Sequence, residues 1–154
     1  RRTKRIVQRV HPQIGMSTLP PDLLQAYAQT HYRVDTAAPF TLRIGVASAA
    51  LLALHRRHGV ACSAFITAVN PRSQASDATT NADRLQRLRA HVNALGLPCI
   101  DGVGQHPSNG WPPEASLLVL GLDLETARRL GERWDQNAIV WSGADAAPQL
   151  ILLR

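Results

Sequence analysis

Apolar positions along the chain fall into short blocks whose period alternates between two residues and about three and a half. Leu23, Leu24 and Tyr27 share one face of a segment opened by Pro20 and Pro21, which predicts a helix over 20–31. Alternation over 31–36 and 40–44 predicts two strands with Ala37, Ala38 and Pro39 turning between them. A second helix is expected over 47–58, stopped by Gly59, and a buried strand over 62–69, bounded by Asn70-Pro71. Residues 70–79 are polar loop, and Thr80 with Asp83 three positions later fits a capping box, so a long helix is expected from about Asn81. Leu85, Leu88, Val92 and Leu95 form its apolar stripe and Gly96 closes it. The remainder predicts a strand over 98–103, a Gly/Pro-rich loop over 104–113, a strand over 114–121, a helix capped by Asp123 through Trp134, and strands over 137–141 and 149–153.

From Ala64 onward the order is β-α-β-β-α-β plus one further strand, the order of a ferredoxin-like split βαβ unit. The fold class expected is therefore α+β: a ferredoxin-like core over about 62–142 with an N-terminal α-β-β-α elaboration, in a single domain over 16–154. In that layout one end of the sheet collects the end of strand 62–69, the start of the long helix, the loop 104–113, and the starts of strands 114–121 and 137–141. Asn70, Ser73, Asn81, Arg84, His106, Trp111, Glu114, Ser116, Gln136 and Asn137 would gather there.

Composition narrows the function classes. With 45% hydrophobic and 18% charged residues the chain has the makeup of a globular domain. The formal charge of +6 suggests a nucleic-acid partner, but five of the basic residues (Arg1, Arg2, Lys4, Arg5 and Arg9) stand before the first acid, Asp22. Without residues 1–15 the balance is twelve basic against eleven acidic side chains, so nucleic-acid binding is expected to be weak and confined to that arm. Met16-Ser17 has the look of a translation start, which makes 1–15 an extension; an Arg-rich presequence is the alternative, with a thin apolar face of Ile6, Val7 and Val10. No apolar run approaches the roughly 18 residues of a membrane span. Cys62 and Cys99 make no metal or disulfide spacing and suit free thiols in a reducing cytoplasm.

The candidate chemistry is polar. Asn81 and Arg84 share a helix face near a helix start, where an anion or carboxylate is favoured. Glu114 is either a general acid/base or the ion-pair partner of Arg84, and Asn70 and Asn81 either line a pocket or cap a turn and a helix. The sites expected are thus Asn70, Ser73, Asn81, Arg84, Glu114 and Gln136 for a ligand, with Glu114 as the catalytic candidate. No metal site or cofactor is expected: His55 and His58 share a helix face without a third ligand, and Gly102-Val103-Gly104 opens no helix. Trp111-Pro112-Pro113 is either a lid over the polar end or a rigid turn over the core.

Taken together, AYAQTHYRV (26–34), FITAVNPRSQ (65–74), NADRLQRL (81–88), GWPPEASLLVLGL (110–122) and DQNAIVW (135–141) resemble the bacterial domain-of-unknown-function family numbered 3293, over roughly Leu19 to Arg154. Asn70, Pro71, Ser73, Asn81, Glu114, Ser116 and Gln136 match the family pattern. Val69 stands where an aromatic residue is common, and Trp134-Asp135 replaces a Phe-Gly. The resemblance implies no established activity. The function expected is a cytoplasmic module binding a small polar or anionic ligand; the alternatives are an enzyme acting on such a ligand and a protein-interaction module.

Overall fold

A computed structural model describes residues 17–154. The basic arm 1–15 and the start at Met16 lie outside the described residues. Helix α1 (Pro21–Gln29) leads into β1 (His31–Val34) and β2 (Phe40–Leu42), followed by α2 (Ala49–Arg57) and β3 (Ser63–Ile66). A 3-10 turn (Pro71–Ser73) precedes α3 (Ala78–Ala94), β4 (Cys99–Gln105), β5 (Glu114–Leu120), α4 (Leu124–Arg133), β6 (Ala138–Ser142) and β7 (Gln149–Leu152). The protein is α+β, with one seven-stranded sheet in the order β2-β1-β4-β5-β3-β6-β7.

Every neighbouring pair in the sheet is antiparallel. Consequently β3 and β4 run the same way with β5 reversed between them, and β5 and β6 run the same way with β3 between them. These directions bring the end of β3, the end of β4, and the starts of β5 and β6 to one end of the sheet. The register is fixed by two-sided burial, since a one-residue slip would exchange the faces. Ala64, Ile66, Leu117, Val119 and Ile139 join Leu88 and Val92 of α3 and Leu130 of α4 on one face. Phe65, Leu118, Leu120 and Val140 join Leu51 and Leu54 of α2 on the other. Full burial of each Val, Leu, Ile or Phe among them contributes about 1.5–3 kcal/mol.

One correction concerns the start of the long helix. It begins at Ala78, not Asn81, because Asp77 is the N-cap and its carboxylate accepts the Thr80 N–H at 2.7 Å. Two overlapping cap registers are written in this stretch, and Asp at the earlier one is the stronger capping residue. Thr80 is thereby a first-turn residue whose hydroxyl also bonds Asp77 at 3.0 Å. These bonds, the backbone one foremost, hold the Asp77 carboxyl below its ordinary range. The positive end of the helix is already matched by an acid.

On the second face, Phe65 lies over Gly102, where an added Cβ would stand 2.7 Å from its ring and 2.5 Å from the Arg33 carbonyl. Tyr32 meets the same ring edge-on, with centroids 5.4 Å apart. Phe65 and Tyr32 form the floor from which the polar end of the sheet begins. Among the described residues, no helix is long and apolar enough to cross a membrane.

Candidate functional site

A cavity of about 190 Å³ opens at that end of the sheet, on the face covered by α1. Leu23, Ala26 and Tyr27 of α1 form one wall; Tyr32, Phe65, Val140 and Leu150 form the floor. Asn70, Ser73, Glu114, Gln136 and Asn137 supply polar atoms, and Trp111 and His106 stand on the loop between β4 and β5. Gly104 contributes bare backbone beside Tyr32 and opposite Glu114 in the ladder.

Asn70 is the hub of the polar wall. Its φ of 46° puts it in the left-handed region, which Asn tolerates better than most residues. Its N–H donates to Asn81 Oδ1 at 2.9 Å, while its own Oδ1 accepts the Ser76 N–H at 3.0 Å and Asn81 Nδ2 at 2.9 Å. Its remaining group, Nδ2, donates to Glu114 Oε2 at 2.7 Å. The backbone donor to Oδ1 and the carboxylate acceptor of Nδ2 fix the orientation of this amide. Asn70, Arg72, Ser73 and Asp135 are four of the five non-glycine residues with positive φ among those described. Each such residue stores strain, and the clustering of four in two facing turns marks a place the surrounding structure holds deliberately.

Glu114 is half-buried at the mouth. Its Oε2 accepts from Asn70 and from Trp111 Nε1, the latter at 3.0 Å, and its Oε1 has no partner among the described residues. Burial pushes its carboxyl above the ordinary range, against the opposing pull of the Asn70 and Trp111 bonds. Across the cavity, Tyr27 and Ser73 hydrogen-bond through their hydroxyls, and Asn137 Nδ2 donates to both, at 3.3 and 3.1 Å. Burial raises the Tyr27 phenol. Tyr32 donates its hydroxyl to the Tyr27 carbonyl at 2.6 Å, tying β1 to α1. Gln136 Nε2 donates to the carbonyls of Val69 and Trp134, which leaves its Oε1 without a partner among the described residues.

Asn81 and Arg84 stand behind this wall and do not line the cavity. Asn81 braces Asn70. The Arg84–Glu114 pair expected as one alternative is not formed: Arg84 Nε donates to the Ala68 carbonyl at 2.6 Å and Nη2 to the Trp134 carbonyl at 2.7 Å. Its guanidinium also lies 5.5 Å from the centre of the Trp134 ring and 3.8 Å from Asp135. Trp134 is the C-cap of α4, so its carbonyl is one of those a helix end leaves unpaired. Arg84 therefore pins the turn after β3 to the turn after α4, and the Arg72 N–H repeats the link to the Asp135 carbonyl at 2.7 Å.

Of the residues singled out from sequence, Asn70, Ser73, Glu114 and Gln136 come together on the cavity, as do His106, Trp111, Ser116 and Asn137. The α1 wall and Gly104 were not anticipated. Tyr27 reads in sequence as one more member of an apolar helix face, and only its Ser73 and Asn137 contacts reveal the other use. His55 of α2 is buried, bonding Ser63 Oγ at 2.7 Å, and neither residue lines the cavity; no cluster of metal-ligating side chains occurs among the described residues.

Residues 66–139 match the family model described as Protein of unknown function (DUF3293). The span holds Asn70, Ser73, Asn81, Arg84, Glu114 and Gln136, and stops short of α1. No curated protein and no solved structure matches the chain.

Proposed function

The chain belongs to that family of unknown function through residues 66–139, and we propose that it is a small-ligand-binding module whose site is the cavity between α1 and the sheet. The observation that carries this reading is the half-buried Glu114 carboxyl, held by two neutral donors and no cation among the described residues, at the mouth of a cavity with aromatic walls. Evolved interiors pair buried acids; an acid left with an open oxygen in a concave site is a binding or catalytic arrangement. The volume is of the order of the roughly 150 Å³ cavity known to admit benzene, so the ligand is of metabolite-fragment size. The polar part of the sequence-based expectation fits this site. The anionic part loses its support, since Arg84 is engaged by two carbonyls and Asp77 already occupies the helix start.

A second reading, an enzyme using Glu114 as acid/base, is favoured by the burial that raises its carboxyl beside the Tyr27–Ser73 hydroxyl pair. For the core, the order β4-β5-β3-β6 with its alternating directions supports the ferredoxin-like split βαβ assignment. The free thiols of Cys62 and Cys99 support a cytoplasmic setting.

The test is a thermal-shift screen of metabolites and nucleotides on the wild type and on Gly104→Val, whose side chain would enter the cavity from β4. Ligands that raise Tm in the wild type are expected to lose the effect in the variant. Hits that shift both proteins equally would place binding elsewhere and refute the reading.

A further inference from the structure

Resting on the cavity as the binding site, the distribution of donors and acceptors around it points to the class of ligand. We infer that the cavity takes a small organic amine, presenting its N–H groups to Glu114 Oε1 and Gln136 Oε1 with its apolar body against Tyr27, Tyr32 and Phe65. Most donor groups of the wall are committed within the chain; Asn109 Nδ2, one Asn70 Nδ2 hydrogen and one hydroxyl hydrogen of the Tyr27–Ser73 pair are without a partner among the described residues. Asn70 Nδ2 and Trp111 Nε1 donate to Glu114, Gln136 Nε2 to two carbonyls, and Asn137 Nδ2 to two hydroxyls. The acceptors are open: Glu114 Oε1, Gln136 Oε1 and Asn137 Oδ1 have no partner among the described residues. The Gln136 orientation is not interchangeable, because carbonyl oxygens on both sides require its NH2 there.

Charge agrees with this inventory. Glu114 is the one acid or base with a formal charge among the cavity-lining residues, and no Lys or Arg is among them. An anion would face a carboxylate with no cation to offset it, at high desolvation cost. An ammonium group would gain a charge-assisted hydrogen bond to Oε1 in a partly dry site, where such bonds are strongest. The aromatic walls suit a cation and its carbon skeleton alike. Of the two hydroxyl hydrogens of Tyr27 and Ser73, one closes their mutual bond and one is left, so the far end of the cavity can also accommodate a single acceptor atom of the ligand.

The experiment titrates three isosteric probes, benzylamine, benzyl alcohol and benzoate, into the full chain and follows backbone amide NMR shifts, which detect millimolar binding. Benzylamine is expected to bind about tenfold or more tightly than benzyl alcohol, and benzoate most weakly, as one charge-assisted bond is worth at least that factor. Gly104→Val and Ala26→Leu, which fill the cavity from the sheet and from α1, should each abolish the benzylamine shifts while the folded spectrum persists. Two blocking variants are used so that misfolding of one does not decide the result. Glu114→Gln keeps an oxygen for Asn70 and Trp111 but replaces the open oxygen by an NH2, and should bring benzylamine down to the level of the alcohol. If the alcohol or benzoate equals benzylamine and the blocking variants abolish that binding, the amine inference is overturned and the cavity reading stands. If no probe binds, or the blocking variants change nothing, both fall together.

Discussion

Replacing Asn70 by glycine and by alanine separates the two things this residue does. Its side chain makes three hydrogen bonds, to Glu114, Ser76 and Asn81, and its backbone sits at φ 46°, ψ 61°. At about 1 kcal/mol per bond, either substitution should cost about 3 kcal/mol from the lost side chain. Alanine adds about 1–2 kcal/mol for the left-handed backbone. Glycine adopts that backbone freely but adds about 0.5–1 kcal/mol of unfolded-state entropy. Asn70→Gly should therefore lose about 3–4 kcal/mol and Asn70→Ala about 4–5 kcal/mol, with alanine the worse of the two. Urea denaturation with unchanged m-values measures both. A glycine variant within about 1 kcal/mol of wild type would show that the hydrogen-bonded hub carries no stability. An alanine variant more stable than the glycine one would refute the backbone part of the reasoning.

Three further outcomes follow from the site and its supports. The folded state holds a proton on Glu114 at pH values where the unfolded chain has released it, so this group's contribution to stability falls as pH rises from the ordinary carboxyl range through the raised folded value; Glu114→Gln should gain on the wild type across that window in urea midpoints, and parallel pH curves would contradict it. Gly102→Ala, with its Cβ 2.5 Å from the Arg33 carbonyl, should cost about 2 kcal/mol or more, whereas Gly104→Ala, whose Cβ meets the Tyr32 ring at 3.7 Å, should cost well under about 1 kcal/mol; equal melting temperatures for the two would show that the Phe65–Gly102 contact is not tight. Arg84→Ala should destabilise by about 3 kcal/mol through its two carbonyl bonds, and Arg84→Lys should not restore the loss because one ammonium cannot reproduce the fork; full rescue by lysine in thermal melts would refute the pinning role.

The strands and helices were legible because apolar positions change period cleanly, and the gathering of Asn70, Ser73, Glu114 and Gln136 followed from strand order alone. What sequence could not show was mostly backbone. Arg84 reads as a free cation since its partners, the carbonyls of Ala68 and Trp134, leave no trace in residue identity. The helix start was displaced because Thr80-x-x-Asp83 and Asp77-x-x-Thr80 are both plausible caps, and only the hydrogen bond chooses between them. Tyr27 was hidden for a different reason: α1 is joined to the core by tertiary docking, and which of its faces meets the sheet is decided by Tyr32, Ser73 and Asn137, at separations up to 110 residues.

That docking sets a timescale as well as a shape. No residue of α1 is fully buried, and the described bonds that hold it run through Tyr27 and Gln29. The sheet beneath it is paired on both sides at β4, β5, β3 and β6. The wall of the cavity is thus a helix without a fully buried residue beside strands paired on both sides, and its detachment would break no strand pairing. Its amides should exchange with solvent by local opening, those of β5 only on global unfolding. A molecule bound against this helix would register first as slowed exchange along residues 21–29.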